Sequence, residues 1–133
     1  MQVYVRACGL VALLVIAIAG ASKADPPTPT FSSGFRFSET TGEALYNGAC
    51  QACHMSNAEG AVGAGRYPAL AKNANLAGSG YVLSVVLGGS KAMPPIGKLM
   101  TDEQVAAVVN YVRTHFGNNY TDAVTASDVK DLR

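Results

Sequence analysis

The chain has 133 residues, 49% hydrophobic and 14% charged, with no tryptophan and a formal net charge of +1. That balance excludes a disordered or fibrous chain, and without a basic excess there is no case for nucleic-acid binding. One small domain is expected at this length, with a thin core that gains from a covalent or metal staple.

The first residues are of a different character. Arg6 follows a short N-terminal region, Leu10 to Ala19 is unbroken apolar, and Ser22-Lys23-Ala24 offers small residues for cleavage. This predicts a secretory signal peptide over residues 1–24, cut after Ala24 or, alternatively, at Ala19-Gly20-Ala21. An uncleaved anchor is the competing reading, but the apolar run falls short of the ~20 residues a spanning helix needs. Cys8 precedes the apolar run and would leave with the signal. Eight Lys/Arg then face nine Asp/Glu, a mature net charge of about −1.

Residues 25–38 carry three prolines and no helical period, so they read as a leader arm before a domain over residues 39–133. Phe31, Phe35 and Phe37 in that arm could pack on the domain or grip a partner. The first helix is predicted to start at Thr40, with Thr40 and Glu43 as a capping box. Leu45, Tyr46 and Ala49 form its apolar face. Gly48 within it costs roughly 1 kcal/mol against Ala, a cost that a close helix crossing would explain.

That helix leads into Cys50-Gln51-Ala52-Cys53-His54, two thiols two residues apart with a histidine directly after the second. Each cysteine can form a thioether with one vinyl group of a c-type haem, leaving His54 to reach the iron from one face. A zinc site would need a second cysteine pair, and the only other histidine is His115. A thioredoxin-like redox motif would need a βαβ context.

Tyr81 to Leu87 is apolar and β-branched enough for a buried strand. Ser79 as an N-cap and Gly88-Gly89 as a stop fit a short helix, and no second good strand exists to pair with it. Met93 follows in a stiff loop of Gly88, Gly89, Pro94, Pro95 and Gly97, suited to presenting a thioether as the second axial ligand. Met55 is adjacent to His54 and cannot reach the other face of the iron. Met100 reads as a staple residue against Val105. Thr101 and Gln104 then form a capping box for the last helix, with Asp102 and Glu103 at its positive end. Val105, Val108, Val109, Val112 and Phe116 make its apolar stripe, and Gly117 is its stop. His115, in its last turn, reads as a surface residue. Lys72, Lys91 and Lys98 are either solvated or ring an exposed haem edge for docking.

These pieces resemble the class I (monohaem) cytochrome c family over roughly residues 39–133. The matching segments are Gly48 to His54, Tyr67-Pro68-Ala69-Leu70, Met93-Pro94-Pro95, and Thr101 through Arg113. The resemblance implies a small all-α cytochrome c fold, three to five helices wrapped around one covalently attached haem, with the N- and C-terminal helices crossing. It assigns Gly48, Tyr46 and Tyr111 to that crossing, Pro68 to a carbonyl accepting the free imidazole N–H, and Arg66 to a possible propionate contact. Phe116-Gly117-Asn118, Val124 to Val129 and Leu132-Arg133 are similar to the C-terminal pattern of cytochromes that accept electrons from periplasmic dehydrogenases. Those often carry three haem domains, whereas this chain has one CxxCH.

The expected function is therefore periplasmic electron transfer on a haem bound by Cys50, Cys53, His54 and Met93. The donor would be a flavoprotein or quinoprotein dehydrogenase, and the acceptor a terminal oxidase or another cytochrome. The chain is not an enzyme on this reading, nor an integral membrane protein once the signal is cleaved. The alternatives are an obligate subunit of one dehydrogenase and a haem-based sensor or peroxidase.

Overall fold

Thr41, not Thr40, starts the first helix, because its extended backbone (φ −96°, ψ 148°) lets its hydroxyl accept the Ala44 amide at 3.2 Å. Adjacent threonines are chemically equivalent caps, and the shift by one takes Glu43 out of the position a capping box requires. The computed structural model describes residues 36–63 and 65–133. The predicted signal peptide, Phe31 and Phe35 lie outside them.

Helix α1 (Gly42–Leu45) runs through a widened five-residue π turn, Tyr46–Cys50, into α2 (Gln51–His54). The Gln51 amide reaches back to the Tyr46 carbonyl, the long bond that defines such a turn. Met55, at φ 65°, ends α2 abruptly. A two-residue hairpin follows, β1 (Ala61–Val62) antiparallel to β2 (Arg66–Tyr67), then a 3₁₀ turn at Ala74–Ala77. Helix α3 (Ser79–Gly88) takes the segment that could have been a strand, with Gly78 rather than Ser79 at its cap, and Gly89 at φ 76° stops it. A second 3₁₀ turn, Ile96–Leu99, precedes α4 (Asp102–Thr114), and a short α5 (Ala126–Lys130) closes the chain. The fold is a small all-α one apart from the hairpin.

Helix α4 organises the rest. Its box is complete: the Gln104 amide donates to Thr101 Oγ1 at 3.2 Å, and the Thr101 amide to Gln104 Oε1 at 2.8 Å. Gln104 Nε2 also donates to the carbonyls of Phe37 (3.0 Å) and Glu39 (2.7 Å), tying the segment before α1 onto α4. Met100 and Val105 are both buried, as a staple requires, and Val108, Val109 and Val112 carry the core stripe. The helix ends at Thr114, with His115 extended beyond it and left-handed turns at Phe116 (φ 58°) and Gly117 (φ 78°).

The crossing of α1 and α4 is made at Gly42, not Gly48. A methyl at Gly42 would run into the Ala107 carbonyl and lie 2.6 Å from Tyr111 Cβ, so the helix backbones touch there. At Gly48 the nearest group is the Glu39 carboxylate, 3.5 Å from such a methyl. The aromatic partners are those expected, with the Tyr46 ring 5.9 Å from Tyr111 and 4.8 Å from Phe116.

Two polar anchors fix the C-terminal part to the middle of the chain. Arg113 is fully buried, and it donates to the Leu76 (2.9 Å) and Ala77 (3.1 Å) carbonyls and to the Asp122 carboxylate (2.7 Å). Asn118 donates to the Leu70 and Val112 carbonyls, both at 2.9 Å, and accepts the Asn73 amide at 2.9 Å. Both anchors end on segments that wall the cleft described next.

Candidate functional site

The π turn and α2 present three side chains in different settings. Cys50 is half-buried, Cys53 is exposed, and His54 is 7% exposed. His54 Nδ1 lies 2.9 Å from the Pro68 carbonyl. A carbonyl only accepts, so Nδ1 carries the proton and the Nε2 lone pair is free for a metal. Tyr46, fully buried one turn before Cys50, donates from its hydroxyl to the Met55 carbonyl at 2.7 Å. That bond holds the sharp exit from α2 and so the end of the helix that carries His54. Burial, with Cys50 and Tyr111 adding to it, pushes the Tyr46 hydroxyl up to about 12, so it stays a neutral donor. Burial also pushes the Cys50 thiol up to about 12, with Cys53 contributing.

Cys50, His54 and Pro68 line one cleft together with Met93. Its volume is about 150 Å³. The walls are aliphatic, with Leu70, Leu76, Val82, Val86, Ile96 and Val109 among them. Met93 sits in a closed turn, its amide donating to the Ser90 carbonyl (2.9 Å) and its carbonyl accepting the Ser90 amide (3.0 Å). Gly89 is required beside it, since at φ 76° a methyl would stand 2.8 Å from the Met93 carbonyl. Met55 does not line the cleft. Met100 does, at 3% exposure, so two methionines face this space and sequence reasoning assigned only one of them to it.

This donor set fits a haem. One imidazole and one thioether are too few for a bare ion, and among the described residues no three His, Cys, Asp or Glu side chains converge. For an iron already held by four porphyrin nitrogens, two axial donors complete the set. Arg66 is exposed on β2 and does not line the cleft, nor do Lys72, Lys91 or Lys98. His115 is exposed and stacks on Tyr111 with ring centroids 4.1 Å apart, away from the cleft lining. Among the described residues no helix is long and apolar enough to cross a membrane.

Sequence comparison places these features in context. A family model described as cytochrome c oxidase, cbb3-type, subunit III matches residues 38–112, more than half of the chain. The fructose dehydrogenase cytochrome subunit of Gluconobacter japonicus is 34% identical over 109 residues, 71% of this chain and 22% of that protein. The alcohol dehydrogenase (quinone) cytochrome c subunit of Gluconacetobacter polyoxogenes is 31% identical over 143 aligned positions, 88% of this chain and 30% of that protein. The gluconate 2-dehydrogenase cytochrome c subunit of Pantoea cypripedii is 36% identical over 106 residues, 70% of this chain and 24% of that protein. The chain thus spans under a third of the length of these relatives.

Proposed function

This chain belongs to the cytochrome c family, and from that premise we propose that it is a periplasmic one-electron carrier with a single covalent haem. Cys50 and Cys53 would supply the two thioether attachments, and His54 Nε2 and Met93 Sδ would be the chain's two ligands to the iron. The haem, when bound, supplies the ferric/ferrous couple. The chain's own residues set its properties. The Pro68 carbonyl orients the His54 ring and makes it a stronger donor. The Met93 thioether favours reduced iron and raises the potential. The aliphatic walls would exclude water from the iron, and ligation by both His54 and Met93 would favour electron transfer over oxygen chemistry. The observation that carries this reading is the shared cleft: a tautomer-fixed, buried His54 beside Cys50, with Met93 on the same apolar lining.

The donor on this reading is a periplasmic dehydrogenase and the acceptor a terminal oxidase or another cytochrome. The relatives support the donor side, each being named as the cytochrome subunit of a dehydrogenase. The same names favour a second reading, an obligate subunit of one dehydrogenase complex. Mixing the purified haem protein with a periplasmic dehydrogenase and that enzyme's substrate tests both. Rapid reduction of the haem by freely diffusing protein supports the carrier. Reduction only in a co-purifying complex supports the subunit, and no reduction by any such enzyme contradicts both.

A further inference from the structure

A haem carries two propionate carboxylates besides its vinyl groups, and ionised carboxylates need hydrogen-bond donors or water. We infer that Asn75 and Tyr81 are the residues that receive them, as neutral donors at the mouth of the cleft. The inference rests on the haem reading above.

The polar side chains lining the cleft are few. Cys50 and His54 belong to the attachment and axial roles. Asn73 is partly committed, one Nδ2 hydrogen going to the Ala69 carbonyl at 2.6 Å and its Oδ1 accepting the Asn75 amide at 2.9 Å. Asn75 and Tyr81 remain, and among the described residues neither the Asn75 carboxamide nor the Tyr81 hydroxyl has a hydrogen-bond partner. Both are exposed, Tyr81 to 57%, whereas His54 and Met100 on the same lining are buried. They are six residues apart, on the 3₁₀ turn Ala74–Ala77 and the first turn of α3, and both combine cleft lining with solvent exposure.

That rim is built to stay in place. The Asn73 amide is held by Asn118, and the Leu76 and Ala77 carbonyls are held by the buried Arg113 guanidinium. The charge of Arg113 is answered by the Asp122 carboxylate, so Arg113 does not serve the cleft as a free cation. Among the described residues no Lys or Arg lines the cleft; Arg66 lies on β2 and Lys72 packs its methylenes against Gly117. The arrangement therefore offers an amide and a phenol where the sequence suggested Arg66.

The test is redox-difference infrared spectroscopy of the holoprotein, its haem labelled at the propionate carboxyls by feeding isotope-labelled aminolevulinate. The label identifies the carboxylate stretches, which respond to loss of a donor but not to general loosening of the fold. Tyr81→Phe and Asn75→Leu are each expected to shift a labelled band, and Arg66→Ala to leave the bands superimposable on wild type. If Asn75→Leu fails to load haem, Asn75→Ser keeps the fold and shortens the donor. Unchanged bands in the Asn75 and Tyr81 variants, or bands moved by Arg66→Ala, would overturn the assignment. Absence of any labelled haem on the wild-type chain would instead strike at the haem reading itself.

Discussion

Gly42 and Tyr111 meet backbone to side chain where α1 crosses α4, with room for a hydrogen on Gly42 but not for a methyl. The contact fixes the angle at which the π turn and α2 leave that crossing, and so the approach of Cys50 and His54 to the cleft. Gly42→Ala must push α1 off the Ala107 carbonyl, and overpacking of this kind costs about 1–3 kcal/mol. Gly48→Ala meets only a carboxylate at van der Waals distance and gains helix propensity, so it is expected to be neutral or stabilising by up to ~1 kcal/mol. Urea denaturation of the two variants checks the assignment, and a reversed order would return the crossing to Gly48.

Tyr46→Phe leaves the ring packing and deletes the hydroxyl that donates to the Met55 carbonyl. A loss of about 1–2 kcal/mol is expected, because the carbonyl of a left-handed residue is then left without that donor. The hydroxyl also predicts an alkaline limb. Its folded pKa is raised from the ordinary 10.0 to about 12, so its stabilising effect is complete below about 10 and is lost as pH rises toward 12. Denaturation midpoints followed through that window should fall in wild type and fall less in Tyr46→Phe.

Arg113 is a buried cation whose donors are spent on backbone carbonyls. Arg113→Met strands the Leu76 and Ala77 carbonyls and is expected to cost about 2–4 kcal/mol, with Arg113→Lys recovering little of it, since one ammonium cannot span the same fork. Its partner gives an acid limb of the opposite sign. The hydrogen bond from Arg113 holds the Asp122 carboxyl below its usual range, so the pair's contribution is full above the unfolded carboxylate pKa and lost as pH falls through the lowered value. Asp122→Asn should abolish that limb in acid denaturation curves. The effect is small, because the carboxylate is 67% exposed and solvent screens it.

The two cleft methionines separate by readout. Met100→Ala opens a hole in the core and should cost about 2–5 kcal/mol while leaving the axial ligand spectrum intact. Met93→Ala should do the converse, with modest loss of stability and a changed ferric spectrum.

What the sequence made legible follows from how local each signal is. Cys50 to His54 and the Thr101–Gln104 box are short motifs whose chemistry is complete within five residues, and both could be read directly. The Thr125–Asp128 box before α5 has the same form, its carboxylate accepting the Thr125 amide at 2.8 Å, but five residues are too few to show a helical period. The crossing falls at Gly42 and not Gly48 because six residues separate the two glycines, which puts them on different faces of the helix. Arg113 sits four residues after Val109 on the apolar stripe, a position that implied burial, yet a lone arginine ordinarily reads as solvated. Its Leu76 and Ala77 carbonyl partners are more than thirty residues distant in the chain, beyond any local pattern.

The most direct test of the proposed His54/Met93 ligation is an optical redox titration of the haem-loaded protein alongside its Met93→Ala variant. A single one-electron wave is expected for the wild type, with one haem per chain, and a distinctly lower potential with an altered ferric spectrum for Met93→Ala. An unchanged potential and spectrum in that variant would contradict that ligation.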